Sequence, residues 1–197
     1  KGFYSIINDE RNRFLLPTEG HRLSFSQTFA LPGSDIPYVE NNVQGTYYYP
    51  YAEDYIFNFK SSLNSINSLN NKDIKLSDRQ FSTSRQIRGF ESRGIGPRDG
   101  KDQIGGNYSA FASVSTTFPN YLPEKWNANS SFFLDTGNVW GVDFDDSLDS
   151  DRIRSSFGIN LDWISPLGPL SFTLSETLSS ASGDKEESFS FNLGSVF

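Results

Sequence analysis

Side chains able to do covalent or metal chemistry are scarce in this sequence. It has no cysteine, which excludes a disulfide framework, a thiolate metal site and a cysteine nucleophile. The one histidine, His21, follows a Pro17-Thr18-Glu19-Gly20 turn with no Ser–Asp arrangement near it, so neither a His-rich metal site nor a catalytic triad is supported. Asp143, Asp145, Asp146, Asp149 and Asp151 form an acidic cluster whose oxygens suit calcium. The cluster lacks the glycine-centred loop and bidentate glutamate such a site uses, and it reads as a solvated acidic loop. A balance of 17 basic against 24 acidic residues gives a net charge of −7, the wrong sign for nucleic acid. The expectation is a protein that is not an enzyme and uses no cofactor.

The elements that position the polar residues are strands. From Ile153 to Trp163 the odd positions are Ile153, Ser155, Phe157, Ile159, Leu161 and Trp163, and the even ones Arg154, Ser156, Gly158, Asn160 and Asp162. This period of two gives one apolar and one polar face. Leu170, Phe172 and Leu174 repeat it against Ser171, Thr173 and Ser175, and Phe189, Phe191 and Leu193 against Ser190, Asn192 and Gly194. In the stretch 126–135, Ala128, Ser130, Phe132 and Leu134 share one face, while Asn127, Asn129, Ser131, Phe133 and Asp135 share the other. The pattern predicts strands at 1–9, 20–30, 37–49, 53–64, 104–118, 126–137, 152–164, 169–178 and 188–197.

Mean hydropathy is −0.49, and no apolar run approaches the ~18–20 residues of a membrane helix. Yet 18 Phe, 9 Tyr and 3 Trp make the chain 15% aromatic. Membrane barrels reconcile these figures, because alternating lipid-facing and lumen-facing residues average to low hydropathy. The connections alternate as well. Tight turns at Pro17–Gly20, Tyr49-Pro50-Tyr51 and Ser165–Pro169 separate long polar stretches at about 65–103, 138–151 and 179–187. Short turns at one end and long loops at the other are the asymmetry of outer-membrane barrels. Tyr47, Tyr48, Tyr49, Tyr51 and Trp140 fall near strand ends and suit an interfacial girdle. The fold class expected is all-β, an antiparallel transmembrane β-barrel. Nine strands are not an even number, so residues 1–197 are expected to be the C-terminal portion of a larger barrel, with N-terminal strands and periplasmic domains belonging to the parent.

Four segments carry a family resemblance: Ile87-Arg88-Gly89-Phe90 in the longest loop; Phe132-Phe133-Leu134-Asp135-Thr136-Gly137-Asn138-Val139-Trp140; Trp163-Ile164-Ser165-Pro166-Leu167-Gly168-Pro169-Leu170; and the terminal strand Phe189 to Phe197. Each alone is weak, but together and in this order the chain resembles the BamA-type outer-membrane protein assembly factors, the bacterial surface antigen barrel superfamily. The resemblance implies a barrel of sixteen strands and a folded-in extracellular loop whose Arg88 reaches Asp135. Ile87, Gly89 and Phe90 complete that tether motif. It also implies that Phe189, Phe191, Leu193, Gly194 and Phe197 form a sorting signal and one side of a seam. Where many relatives carry a second acidic partner for the arginine, alignment on Gly105-Gly106-Asn107 places Ser115.

The activity implied is assembly and insertion of β-barrel proteins into the bacterial outer membrane, by seam opening and strand pairing with the client. Partners implied are outer-membrane lipids, client β-barrel proteins and accessory lipoproteins of an assembly complex, with no nucleic acid. The alternatives are a TamA-like translocation and assembly module, which N-terminal domains would distinguish, and a two-partner secretion pore, which an inward-folded loop disfavours.

Overall fold

The computed structural model describes residues 1–30, 33, 36–119, 122–123, 126–166 and 168–193. Strand alternation is realised as an antiparallel meander. Its first four strands are β1 (Gly2–Asp9), β2 (Gly20–Phe29), β3 (Tyr38–Ala52) and β4 (Tyr55–Ser68). The chain then detours through a long loop containing the two-residue strands β5 (Arg98–Asp99) and β6 (Asp102–Gln103), which pair only with each other. The meander resumes with β7 (Tyr108–Phe118), β8 (Ala128–Trp140), β9 (Arg154–Ser165), β10 (Gly168–Ser179) and β11 (Phe189–Leu193). The nine-stranded sheet runs β1-β2-β3-β4-β7-β8-β9-β10-β11. Helical structure is slight, with a 3-10 turn at Asp146–Leu148.

The sheet is apolar on its outer face and polar within. Outward side chains are exposed, among them Leu63, Val114, Phe132, Leu134, Phe157, Ile159, Leu174, Phe189 and Phe191. Inward side chains are buried and hydrophilic: Ser109, Ser113, Ser131, Asp135, Ser156, Asn160, Thr173, Ser175 and Ser190. Water cannot be the solvent of the outer face, because an apolar patch of this extent is a contact surface for lipid or protein. Inside, the polar groups pair with one another. Asn160 accepts from the Thr173 hydroxyl at 2.7 Å and from Ser171 at 3.0 Å, and Asn64 donates to Ser109 at 2.8 Å.

Aromatic pairs border the apolar band. Trp126 stacks on Trp163 and Tyr51 lies against Tyr55 at the short-turn end, while Tyr108 stacks on Trp140 at the loop end. Ala128, which pairs with Trp163, lies twelve steps along β8 from Trp140. That is roughly 40 Å along a strand at ~3.3 Å per residue, or roughly 30 Å of height at a ~40° tilt, the thickness of a bilayer core. Tyr48 does not join the girdle: it points inward and is buried, because its neighbours Tyr47 and Tyr49 take the outer face.

Strand boundaries shift by up to four residues from the sequence expectation, β8 for instance running to Trp140 rather than 137, and two shifts change the reading of a connection. The stretch Tyr49-Pro50-Tyr51 is not a turn; β3 runs through it to Ala52, and the chain reverses at residues 53–54, where Asp54 takes a φ of 63°. A register shift between Pro50 and Ala52 absorbs the proline, which cannot donate to a regular ladder. The long loop spans 69–107 rather than 65–103, because β4 continues to Ser68 opposite Tyr38. Gly194 and Phe197, expected in the terminal strand, lie outside the described residues, as does Leu167 of the Trp163–Leu170 turn.

Candidate functional site

The long loop folds back onto the inner face of β7, β8, β9 and β10. Its anchors are apolar: Ile87, Phe90 and Ile95 pack with Phe111 and Val139 into a buried cluster. Phe111 can lie flat there because its cross-strand partner is Gly137, where a Cβ would come 2.2 Å from the Phe111 ring. Three such side chains contribute about 1.5–3 kcal/mol each on burial, enough to offset part of the ordering cost of the loop.

Between two of these anchors sits Arg88, whose guanidinium forks onto Asp135. Nε donates to Oδ2 at 2.8 Å and Nη2 to Oδ1 at 2.7 Å, while the Arg88 backbone N–H donates to Oδ2 at 2.9 Å. The Asp135 side chain is 1% exposed and that of Arg88 17%. A bidentate, charge-assisted pair of this shape suits arginine alone among cations. The guanidinium carbon also lies 3.6 Å from the centroid of the Phe133 ring, a cation–π contact from the residue two before Asp135 on the same face. Loop and wall are joined in the other direction too, by a Ser156 hydroxyl that donates to the Arg88 carbonyl.

Gly89 makes this approach possible. Its φ is +89°, and a Cβ would sit 3.0 Å from that of Ser156 and 3.5 Å from that of Ser175. Any other residue would be strained in backbone and crowded against β9 and β10.

The hydroxyl that completes the arginine's shell is Ser113, not Ser115. Arg88 Nη2 donates to Ser113 Oγ at 3.0 Å. Strand register decides this, since Ser113 stands directly opposite Asp135, whereas Ser115 stands opposite Phe133, two residues nearer the short-turn end.

Sequence reasoning missed a second buried ion pair. Arg154 at the start of β9 forks onto Asp184 in the β10–β11 connection, Nε to Oδ2 and Nη2 to Oδ1, both at 2.9 Å, with each side chain 2% exposed. Arg154 Nη1 donates further to Asn138 Oδ1 at 2.6 Å and to the Ser150 hydroxyl. Period-two alternation put Arg154 on the inner face, which was the available signal; its partner lies 30 residues away in a polar stretch without periodicity.

The acidic cluster caps backbone. Asp143 accepts from the Ile74 N–H at 2.8 Å and from the Asn107 amide at 2.5 Å, and Asp149 from the Gly141 N–H at 2.8 Å. Asp145 caps the Asp146–Leu148 turn, and the Ser147 hydroxyl and N–H hold its carboxyl below the ordinary carboxylate range. No cluster of metal-ligating side chains occurs among the described residues. His21 has its Nδ1 3.9 Å from Glu10 Oε2, both side chains open to solvent.

In β11, Phe189, Phe191 and Leu193 face outward and Ser190 inward, and Phe191 packs on Phe172 at 5.1 Å between ring centroids. The strand pairs with β10 along one edge, and among the described residues no strand pairs with the other. The same holds for the outer edge of β1.

A meander that is apolar outside and polar inside, with a loop pinned to its inner face, defines the wall of an outer-membrane β-barrel. The chain belongs to the Omp85 superfamily, whose superfamily domain matches residues 1–197. It is 27% identical to the outer membrane protein assembly factor BamA of Neorickettsia risticii over 98% of its own length and 27% of that protein's. A SAM50-like protein of Schizosaccharomyces pombe is 32% identical over 66% of the chain and 28% of the relative. The crystal structure of Haemophilus ducreyi BamA lacking POTRA domains 1–3 superposes with a TM-score of 0.88 at 28% identity, covering 96% of this chain and 41% of that one. The chain thus spans little more than a quarter of the length of these curated relatives. It is a BamA-type protein of the bacterial outer membrane.

Proposed function

We propose that the parent of this chain assembles β-barrel proteins into the bacterial outer membrane, with client barrels and membrane lipids as its partners. The observation that carries this reading is the loop pinned across the inner wall, with Arg88 forked onto Asp135 and Ile87, Phe90 and Ile95 seated on Phe111 and Val139, in a chain similar to BamA along nearly its whole length. On this reading β11, apolar on its outer face, is one side of a seam whose backbone donors and acceptors a client strand takes up. An edge of this kind templates another strand by hydrogen bonding. Further strands of the parent close the sheet into a barrel, the long loop lies at the extracellular mouth, and accessory lipoproteins bind the domains beyond it. The Arg88–Asp135 fork keeps the loop seated while the edge works. Residues Phe189, Phe191 and Leu193, with Gly194 and Phe197 beyond them, act as sorting signal and seam. No bond is made or broken covalently, so the role is non-enzymatic; the work comes from the client's own burial and hydrogen bonding.

Reconstitution tests this. The full-length protein in lipid vesicles should accelerate the folding of a urea-denatured client barrel at least tenfold over empty vesicles. Acceleration no greater than that given by vesicles holding an unrelated porin overturns the proposal.

A further inference from the structure

The docked loop does more than sit on the inner face: it takes hold of the segment leading into β11. Phe90 and Glu186 form an antiparallel bridge. Around it, the Glu187 N–H donates to the Gly89 carbonyl at 3.0 Å, Glu91 N–H to Lys185 carbonyl at 2.9 Å, and Lys185 N–H to Gly94 carbonyl at 2.9 Å. Residues 89–94 of the loop thus act as a strand partner for residues 185–187. From there the chain passes to β10, where the Ser175 N–H donates to the Ser188 carbonyl at 2.9 Å, and becomes β11. The five described residues of β11 are paired with β10 alone. The clasp holds the segment that leads into them. Behind it stands the Arg154–Asp184 fork, sealed from solvent, with Asp184 Oδ2 also accepting from the Ala181 N–H at 2.6 Å.

We propose that Arg154 and Asp184 are positioning residues of a latch, in which residues 89–94 clasp residues 185–187 and the buried pair holds the clasp shut, so that β11 leaves or changes its pairing only when the latch opens. The proposal deepens the assembly reading, on which a client strand pairs with β11. Its chemistry is that of a buried, fully hydrogen-bonded pair: intact it is rigid, and with one partner removed it leaves an uncompensated charge where the connection must then move.

Two measurements on the full-length protein in lipid vesicles test it. In the first, amide hydrogen exchange is followed at residues 185–193 for the wild type, Arg154→Gln, Asp184→Asn and the charge-swapped Arg154→Asp/Asp184→Arg. Exchange should rise at least tenfold in each single variant and fall back at least threefold in the swap, while residues 130–136 of β8 stay as protected as before. Wild-type exchange at 185–193 in the single variants overturns the latch. In the second, which leaves the ion pair intact, Glu91→Cys and Lys185→Cys are joined across the clasp; both positions are exposed and stand opposite each other. Oxidation should slow client insertion at least fivefold, and reduction should restore it. Unchanged insertion with the clasp locked overturns the proposal. Hydrogen exchange does not depend on clients, so an idle wild type would sink the assembly reading while the exchange data still judged the latch.

Discussion

At the scale of single residues, the loop depends on a buried charge that has one good partner. Asp135 accepts three hydrogen bonds from Arg88, two from the side chain and one from the backbone. Removing the guanidinium leaves a desolvated carboxylate, and Arg88→Ala should weaken loop docking by about 3–5 kcal/mol. Asp135→Ala should do the same in mirror image, and the double variant should be no worse than the worse single, because the two share one interaction. Protease accessibility of residues 72–100 in lipid-embedded protein reads this directly; additive effects would mean that the two residues act separately. Arg88→Lys should behave more like Arg88→Ala than like the wild type, since an ammonium keeps the charge but cannot fork or stack on Phe133. Ser113→Ala removes one hydrogen bond to a charged donor and should cost about 1–3 kcal/mol, against almost nothing for Ser115→Ala, which a comparison of urea midpoints would resolve.

Elements respond to which face of the sheet a side chain occupies. Leu134 stands near the middle of β8, is 49% exposed, and points away from the lumen. Leu134→Arg should destabilise by about 2–4 kcal/mol in a lipid refolding titration, as for a cation near the bilayer midplane. Ser115→Arg, half-buried on the inner face of β7, should cost less than half as much, and equal costs would contradict the facing of the wall. That facing was legible in the sequence because strands have a strict period of two: Phe132, Leu134, Phe157 and Ile159 could be placed outside, and Asp135 and Ser156 inside, by counting. Counting fails where the chain leaves the sheet. Strand register, set by pairing with β8, chose Ser113 over Ser115; the bulge at Pro50 let β3 run on through a sequence that reads as a turn. Arg154 was visible as an inward residue, but Asp184 lies in a connection without periodicity, and only the folded chain brings them together. The seat of Ile87, Phe90 and Ile95 is likewise a long-range event, made by docking onto Phe111 and Val139.

For the molecule as a whole, the sheet margin is proposed as the working part and the loop as its brace. The latch and the fork both brace the inner face, so β11 parts from a neighbour only once the latch opens, while the fork keeps the loop seated. A disulfide across that margin tests this most directly, and the absence of cysteine from this chain keeps the experiment clean. Asn192, in β11, would be changed to cysteine and matched with a cysteine on the first strand of the parent barrel, both in the full-length protein in lipid vesicles. A disulfide forms only with Cα atoms about 4.4–6.8 Å apart, so it locks the two strands as paired. The prediction is that oxidation stops insertion of client barrels and that reduction restores the original rate. A locked protein that still inserts clients at the unlocked rate would contradict the central claim, since it would show that the wall need not part for the protein to act.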